Sequence, residues 1–213
     1  MEFNKIIRGN KRQVNEEQTV FDILDAGFMC TIAFTHQNQA MMIPTTYGRI
    51  GDVIYFHGST KNFMMNEALK NDQICISVTH LDGLVLAKSL FNTSANYRSV
   101  VLFGKAELAE NEEEWMKGLE AITENIIPNR WNEVKLGSEN ELKATMVVKM
   151  KIEKASAKIR DCGPQGDEND GEIESWSGHI PLKIKALDPI TDDKFDKTYE
   201  FSQSVKLFMA KYK

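Results

Sequence analysis

Residues 43–70 decide the fold class, and they read IPTTYGRIGDVIYFHGSTKNFMMNEALK. Their apolar and β-branched residues predict one strand over residues 43–47 and a second strand over Val53–His57. The intervening residues 49–52 form a tight turn, in which Gly51 can take positive φ. The segment is therefore predicted to form a strand, a tight turn and a second strand, and it ends on a polar stretch.

That polar stretch opens a predicted helix over Lys61–Lys70. Ser59 or Thr60 can cap the helix, and Lys61 would then lie in its first turn. Backbone N–H groups, hydroxyls and a lysine at a helix N-terminus can bind an anion, and phosphate is the commonest biological anion. A lysine in the first turn opposes the helix dipole unless an anion offsets it. A capped helix with a solvated lysine is the alternative, and the spacing alone leaves it open.

The composition is that of a soluble globular protein with one domain and room for appendages. The chain has 213 residues, of which 42% are hydrophobic and 27% are charged, and both values are ordinary. The formal charge of −5, without a long cluster of Lys and Arg, argues against nucleic acid as a partner. No apolar run approaches the roughly 20 residues that span a bilayer, and the N-terminal residues lack the apolar region of a signal peptide. We therefore expect a cytoplasmic protein without a membrane partner.

Cysteine and histidine usage indicates no metal site. Cys30 and Cys75 lie inside apolar, strand-like runs and are predicted core residues. The sequence has no Cys-x-x-Cys pair, and its four histidines are far apart, so a short-spacing zinc motif is unsupported.

Alternation and cap residues predict the other elements. They are a helix over Val20–Ala26 capped by Thr19, strands over Phe28–Thr35, Ala40–Tyr47, Gln73–Thr79, Arg98–Leu108 and Thr145–Ile159, a turn at Asp82-Gly83, a helix from Asn111 to Pro128, and a weak helical stripe over Phe201–Tyr212. Trp115, Leu119 and Ile122 begin the predicted buried stripe of the Asn111 helix. Several strands at hairpin spacing with few helices predict a mainly β protein, a small antiparallel barrel with peripheral helices.

With these elements placed, the chain resembles the pyridoxamine 5′-phosphate oxidase-like family of FMN-binding split β-barrels. Its similarity is to the branch of flavin-nucleotide-binding proteins related to the 5-nitroimidazole reductases. The matching segments, in chain order, are residues 43–47, 55–59, 81–89, 96–107, 141–145 and 155–160, followed by Trp176-Ser177-Gly178 with Pro181. The resemblance implies a split antiparallel β-barrel domain over residues 1–183 and leaves residues 184–213 as a C-terminal extension of unknown role.

The resemblance also implies a homodimer that holds two FMN molecules in clefts between its subunits. Backbone groups of Ile43–Thr46 would bind the edge of the isoalloxazine ring, and Ser59, Thr60 and Lys61 would hold the phosphate. Pro44 cannot donate to the strand ladder, so neighbouring groups would be free for a ligand. An ordinary edge-strand proline is the alternative.

Other residues take candidate roles from the same resemblance. His57 aligns near the phosphate or the ring, although a lone strand histidine is often structural. Arg98 and Ser99 align with an arginine–glutamine pair at the ring edge, but Arg98 could instead reach the phosphate or pair with an acid. Trp176, with Lys158 and Arg160, belongs to the segment near flavin and substrate; rim packing and solvated charge are the alternatives. The complete set of cofactor-binding candidates is Met42, Ile43, Pro44, Thr45, Thr46, Tyr47, Phe56, His57, Gly58, Ser59, Thr60, Lys61, Asn62, Arg98, Ser99 and Trp176.

The function implied is an FMN-dependent oxidoreductase that acts on an unidentified small molecule. FMN is predicted over FAD or NAD because there is one small phosphate cradle and no Gly-x-Gly-x-x-Gly turn. No side chain has to act as an acid or base, because the flavin carries the redox chemistry. The alternatives are a flavin-binding or redox-sensing protein without turnover, a nitroimidazole-type reductase, and a dimeric structural domain that has lost its flavin.

Overall fold

The alternating segments form twelve strands, with five α-helices, within the residues that the computed structural model describes: 1–3, 12–14, 16–166, 168–192, 194 and 200–213. The strands are β1 Glu2–Phe3, β2 Gln13–Val14, β3 Met29–His36, β4 Gln39–Thr46, β5 Gly48–Ile50, β6 Val53–Ser59, β7 Ile74–Leu86, β8 Ser94–Gly104, β9 Ala106–Leu108, β10 Thr145–Lys151, β11 Lys154–Arg160 and β12 Gly178–Pro181. The helices are α1 Glu17–Asp25, α2 Phe63–Ala68, α3 Glu112–Ile126, α4 Glu139–Lys143 and α5 Gln203–Lys211. None of these helices is long and apolar enough to cross a lipid bilayer.

Two sheets face each other across one core. The larger sheet has the order β1-β11-β8-β7-β3-β4, with β2 beside β11 and β12 beside β7, and the smaller has the order β5-β6-β10-β9. All pairings are antiparallel except that of β1 with β11. Ile32 and Leu102 of the larger sheet share a core cluster with Phe56 and Val148 of the smaller one. This architecture confirms the predicted split β-barrel with peripheral helices.

Side-chain alternation divides the larger sheet into a core face and an outer face. Ile32, Ile76 and Leu102 lie in register on the core face. The adjacent positions of these strands lie on the opposite side of the sheet, which we call the outer face. One register row across this face, from β4 to β11, consists of Pro44, Thr31, Ser77, Val101 and Ser156. Most of these side chains are small, so the backbone of this face is open to close approach.

The same alternation places the two cysteines that were predicted to be core residues on opposite faces of the larger sheet. Cys30 is buried, and its burial raises the pKa of its thiol to about 12. Cys75 is only half-buried and pairs in register with Ala33, on the outer face. The prediction was therefore correct for Cys30 and wrong for Cys75, because the strand's first core position is Ile74.

The first helix begins three residues earlier than predicted. It starts at Glu17 with Glu16 as the N-cap, so Thr19 lies inside its first turn. The main-chain oxygen of Glu16 accepts the hydrogen bond of Val20 N at 3.3 Å, and the acidic Glu17 suits the positive end of the helix dipole.

The predicted turn at Asp82-Gly83 does not form. Strand β7 runs through both residues, with a register shift between Leu81 and Gly83. Asp82 is held by a bidentate ion pair with Arg98. A Cβ atom on Gly83 would lie 2.8 Å from the main-chain oxygen of Ile180. The glycine is therefore needed for the close approach of β12, and it does not form a turn.

Two predicted long strands are each divided between the two sheets. The predicted strand Thr145–Ile159 is β10 plus β11, and Arg98–Leu108 is the end of β8 plus β9. At the first crossing, Glu153 N donates to the main-chain oxygen of Phe103 at 3.0 Å. At the second, a Cβ on Gly104 would lie 2.2 Å from the Lys151 oxygen. The crossings therefore pack on each other.

The C-terminal extension packs on the barrel. Ser204 is fully buried, and its main-chain N and its hydroxyl donate to Glu133 at 2.8 and 2.5 Å. The Phe208 and Phe28 rings lie 6.3 Å apart, centroid to centroid. Helix α5 confirms the helical stripe that the sequence indicated over residues 201–212.

Candidate functional site

The polar turn between β6 and α2 is built by side chains that cap its own backbone. Asn62 is the N-cap of α2, and its Oδ1 accepts the hydrogen bond of Met65 N at 3.1 Å. The helix therefore begins at Phe63, and Lys61 lies before the cap. The predictions that Ser59 or Thr60 caps this helix and that Lys61 lies in its first turn were wrong, because Asn62 has the cap geometry.

Most backbone donors of this turn are already used. Thr60 N donates to the Ala144 oxygen at 2.9 Å, and Asn62 N donates to the Ser59 oxygen at 2.8 Å. Lys61 N donates to Ser59 Oγ at 3.2 Å. An anion at this turn would therefore be bound mainly by the hydroxyl groups of Ser59 and Thr60 and by the Lys61 ammonium group.

Lys61 is exposed and makes no ion pair with any residue in the described ranges. The main chain on either side of Lys61 is held by the side chain of Asn66, a residue that the sequence analysis did not identify. Asn66 Nδ2 donates to the main-chain oxygens of Thr60 at 3.0 Å and Asn62 at 2.7 Å. The signal was available: an asparagine one turn after the capping asparagine can reach back to the turn. The unpaired ammonium group of Lys61, on a turn held by Asn66, is suited to binding a phosphate.

Strand β4 presents an open edge. Among the described residues it pairs with β3 alone. The side chain of Ile43 packs against the core, whereas Met42 is 66% exposed and Pro44 is also exposed. Thr45 and Thr46 are half-buried. Residues 43–46 therefore lie on an edge strand, and their outward backbone groups are available to a ligand.

Tyr47 and Phe56 are corrections to the set of candidates. Tyr47 is 1% exposed, and its hydroxyl donates to the Leu24 oxygen at 2.5 Å. Its own main-chain oxygen accepts from Asn125 Nδ2. Phe56 has no exposed surface and belongs to the core. Neither side chain can touch a cofactor, because both fill the interior.

His57 lies beside the turn but on the other face of β6 from Phe56. It pairs in register with Val147, and the alternation places it with Tyr55, which packs in the α3 cluster with Ile122. Its Nδ1 is buried without a hydrogen-bond partner among the described residues. Burial lowers the pKa of the imidazole. Gly58 keeps the turn close to α2, since a Cβ there would lie 3.0 Å from Met65 Cε.

Arg98 and Ser99 point to opposite faces of β8. Ser99 has the parity of Val101 and lies on the outer face, in register with Thr79 and Lys158. Arg98 lies on the other side and makes hydrogen bonds of 2.9 and 2.8 Å to Asp82, which raise the pKa of the guanidinium. In one subunit, the two residues cannot bind one ligand as a pair. Arg98 instead pairs with an acid, Asp82, which was the alternative role for this residue.

Trp176 and Arg160 do not join the turn and the β4 edge. Trp176 is 61% exposed and precedes β12, whose Gly178 pairs with Leu86. Leu86 is nine residues along β7 from Ser77, roughly 30 Å at the usual strand rise. Arg160 is 5% exposed, and its Nη1 donates to Asn96 Oδ1 at 2.5 Å. In one subunit, the tryptophan segment and the β4 edge are too far apart to share a flavin ring.

The chain is similar to known proteins in both sequence and structure. The sequence model of the pyridoxamine 5′-phosphate oxidase family matches residues 16–159. A search of curated protein sequences found no significant match. Among solved structures, the flavocytochrome Anf3 from Azotobacter vinelandii is 29% identical, with a TM-score of 0.89 over 100% of this chain and 99% of its own.

Two further structures extend the comparison. The FAD and heme binding protein from Mycobacterium smegmatis is 29% identical, with a TM-score of 0.86 over 92% of this chain and 96% of its own. A putative 5-nitroimidazole antibiotic resistance protein from Bacteroides thetaiotaomicron is 19% identical, with a TM-score of 0.58 over 69% of this chain and 86% of its own, and it shares the fold. The family match covers well over half of the sequence, and the chain belongs to the pyridoxamine 5′-phosphate oxidase family.

Proposed function

We propose that this chain binds a flavin nucleotide and uses it as an oxidoreductase on a small molecule. The observation that carries the proposal is its likeness, over almost the whole of both chains, to a flavocytochrome and to an FAD and heme binding protein. The open β4 edge and the unpaired Lys61 at a braced turn are features that a bound flavin nucleotide would use.

The residues present fit this group. The bound flavin would supply the electron transfer, and the chain would supply position and charge. Backbone groups of Ile43–Thr46 would orient the ring edge, and Lys61 with the hydroxyls of Ser59 and Thr60 would hold a phosphate. The small side chains of the outer face would admit a planar ring close to the backbone of Ser77 and its neighbours.

The identity of the flavin is a choice between FMN and FAD. The single phosphate-binding turn, without a Gly-x-Gly-x-x-Gly sequence, favours FMN. The similarity to a protein described as binding FAD favours FAD as the second candidate. Mass spectrometry of the chromophore released by denaturation separates the two.

The proposed assembly is a homodimer with flavin between the subunits. The separation of roughly 30 Å between the Trp176 segment and the β4 edge supports it, because a second copy could bring the two segments together. The outer face is the surface we propose for this contact, since it is lined by small side chains.

A second candidate function is heme binding, which two observations favour. Both of the full-length similar structures are described as heme or cytochrome proteins. His179 is exposed, its side chain has no hydrogen bond or ion pair to a described residue, and it pairs in register with Val85, next to the exposed Leu84 and Ile180. By contrast, His36 is bound to Glu67 at 2.7 Å and His80 to the Ile23 oxygen at 2.9 Å, and the Nδ1 of His57, which has no partner among the described residues, is buried. We propose His179 as the axial ligand.

The visible spectrum of the purified protein tests both functions. Flavin binding predicts the two-banded flavin absorption, and heme binding predicts a Soret band that His179→Ala removes while the flavin bands remain. Anaerobic reduction by a nicotinamide nucleotide, followed by oxidation with added acceptors, tests for turnover. A colourless protein that retains no added FMN, FAD or heme after gel filtration would contradict the proposal.

A further inference from the structure

A cavity of about 510 Å³ lies between the first turns of α3 and the short helix α4. Its size is within the usual range of small-molecule sites. Helix α3 contributes Glu112, Trp115 and Met116 to the lining, and α4 contributes Leu142. No residue of this lining belongs to the candidate flavin ligands, so the cavity is a separate feature of the molecule.

The apolar wall of this cavity is formed by side chains that the surrounding structure holds in place. Trp115, Met116 and Leu142 line it, and each is half-buried. Trp115 Nε1 donates to the main-chain oxygen of Thr145 at 3.4 Å, so the indole offers a ligand its ring and no free donor. Helix α4 is fixed by its capping box, and the Thr145 hydroxyl donates to the Glu141 oxygen at 2.8 Å. The wall is therefore a preformed surface for an apolar group.

One carboxylate of this cavity has no partner. The side chain of Glu112 makes no hydrogen bond or ion pair with any residue in the described part of the chain. Glu139 is the other acid of the lining and lies 3.5 Å from Lys143, the one lysine of the lining. Asn111 Oδ1 is used by the hydrogen bond from Glu114 N. The cavity therefore carries one uncompensated negative charge.

The position of Glu112 on α3 joins this charge to the apolar wall. Trp115 follows Glu112 by three residues, and side chains at that spacing are neighbours on one helix face, with Cβ atoms about 5–6 Å apart. A cation on the Glu112 carboxylate is then within reach of the indole face, which attracts cations at up to about 6 Å. The charges beside the cavity also sum to a negative value, because Glu110 and Glu114 share Lys149. The region attracts a cation and disfavours an anion.

From this arrangement we propose that the cavity binds a small organic cation, a primary amine carried on an aromatic body. The ammonium group binds Glu112, and the aromatic body packs against Trp115, Met116 and Leu142. Complementary charge selects this class, because an anionic ligand would place its charge against Glu112 and a neutral one would leave that carboxylate without a counter-ion. The site goes beyond flavin binding and does not depend on it.

The experiment measures binding of 1-(aminomethyl)naphthalene to the full-length protein by titration calorimetry, with 1-naphthalenemethanol as the uncharged probe of the same shape. The amine is expected to bind about five- to ten-fold more tightly than the alcohol. Glu112→Gln should remove that advantage without weakening the alcohol, and Leu142→Ala should weaken both probes. Glu120→Gln is the matched control, because Glu120 is exposed on the same helix and lies outside the cavity. It should leave the advantage unchanged.

Competition with flavin is a necessary part of the test. Ala144, which follows α4, accepts a hydrogen bond from Thr60 N at 2.9 Å, so the adenosine of FAD could extend from the proposed phosphate turn toward the cavity. Saturating FMN or FAD should leave the affinity for the amine unchanged, and displacement of the amine by FAD would make the cavity part of the flavin site and overturn the proposal.

Two other results bear on the proposal. Raising the ionic strength should weaken binding of the amine and leave the alcohol unchanged. Equal affinity for the two probes, or an equal loss in the Glu112 and Glu120 variants, would overturn the proposal. An intact amine advantage in a protein that binds neither FMN nor FAD would support this site and contradict the proposed flavin function alone.

Discussion

Lys61 is the residue on which the placement of the flavin phosphate depends. A charge-assisted contact with phosphate contributes about 1.5–3 kcal/mol, or about ten- to over a hundred-fold in affinity. Lys61→Ala should therefore weaken binding of the flavin nucleotide by that factor and weaken riboflavin, which has no phosphate, very little. Fluorescence titration of the flavin-free protein with each ligand measures both effects.

Lys105→Ala is the control for this experiment, because Lys105 is an exposed lysine between β8 and β9. It should leave both affinities unchanged. The melting temperature of the flavin-free protein should also be unchanged in the Lys61 variant, since Lys61 lies outside the helix. Equal losses for the nucleotide and for riboflavin would show that the phosphate binds elsewhere.

Arg160 and Asn96 form a buried polar contact whose two partners should respond unequally to substitution. Asn96 is 4% exposed, and its Oδ1 accepts from both Arg160 Nη1 and Cys162 N. Asn96→Ala leaves a buried guanidinium group short of an acceptor, and we expect a loss of about 1.5–3 kcal/mol. Arg160→Met removes the buried charge and should cost less than Asn96→Ala. Urea unfolding measures both changes, and the reverse order would contradict this account.

Single residues also explain where sequence reasoning about the site succeeded. The open edge at Ile43–Thr46 could be predicted, because Pro44 signals a strand with one free side. The burial of Tyr47 could not be predicted from its neighbours, because it depends on a hydrogen bond to Leu24, which lies 23 residues earlier. Such partners are fixed by the tertiary packing and leave no local pattern.

The packing of α3 on the small sheet depends on glycines at close approaches. A Cβ on Gly48 of β5 would lie 2.4 Å from main-chain atoms of Ala121 and Ile122. Gly48→Ala must push the helix away from the strand, and we expect it to destabilise the protein by about 1–3 kcal/mol. Gly163→Ala is the control, since no heavy atom lies within 4 Å of its Cβ position. It should be neutral or slightly stabilising, and equal effects in thermal unfolding would contradict the packing argument.

The predictions of secondary-structure elements failed where contacts with distant parts of the chain override the local sequence pattern. Asp82-Gly83 is typical of a turn, but Arg98 binds the aspartate and β12 needs the missing Cβ of the glycine. Periodicity continued through Ile152, which is buried as the pattern requires, although the chain changes sheets there. Alternation therefore identified the core faces of the strands and could not identify their breaks.

The docking of the C-terminal helix should depend on pH. Hydrogen bonds from Ser204 and then Ser202 lower the pKa of Glu133 from 4.5 to about 2. A pKa that is lower in the folded state gives stability that is full above the unfolded value and is lost as the pH falls toward the folded one. We therefore expect α5 to loosen between about pH 4.5 and 2. Hydrogen exchange of the amides of residues 203–211, corrected for intrinsic rates, measures this, and Glu133→Gln should remove the dependence.

At the scale of the whole molecule, the site could be predicted only in part. The segments that resemble the family are separated in the structure: Trp176 precedes β12, which pairs with one end of β7, whereas the other end of β7 pairs with β3, and β3 in turn pairs with the edge strand β4. A single sequence gives the order of such segments and not their distance. A second copy that contacts the outer face would allow two distant segments to contribute to one site, and the proposed assembly would connect them.

The dimer is therefore the last prediction, and Ser77 is the residue that tests it. Ser77 lies at the middle of the outer face, between Thr31 and Val101. Ser77→Arg places a long charged side chain where a second copy would approach, and a single subunit tolerates it because the side chain points away from the core. Light scattering should give twice the chain mass of 24.2 kDa for the unmodified protein and one chain mass for the variant.

Flavin binding gives the same experiment a second readout. If the ring lies between subunits on the outer face, the Ser77→Arg monomer should lose its flavin on gel filtration, both because the second subunit is absent and because the arginine obstructs the ring, while circular dichroism keeps the β-sheet signal. Glu120→Arg is the control, since Glu120 is exposed on α3, which packs on the smaller sheet away from the outer face and the Trp176 segment; it should remain a yellow dimer. A Ser77→Arg protein that stays dimeric would exclude the outer face as the interface. A monomer that retains flavin would show that one subunit is sufficient to hold it.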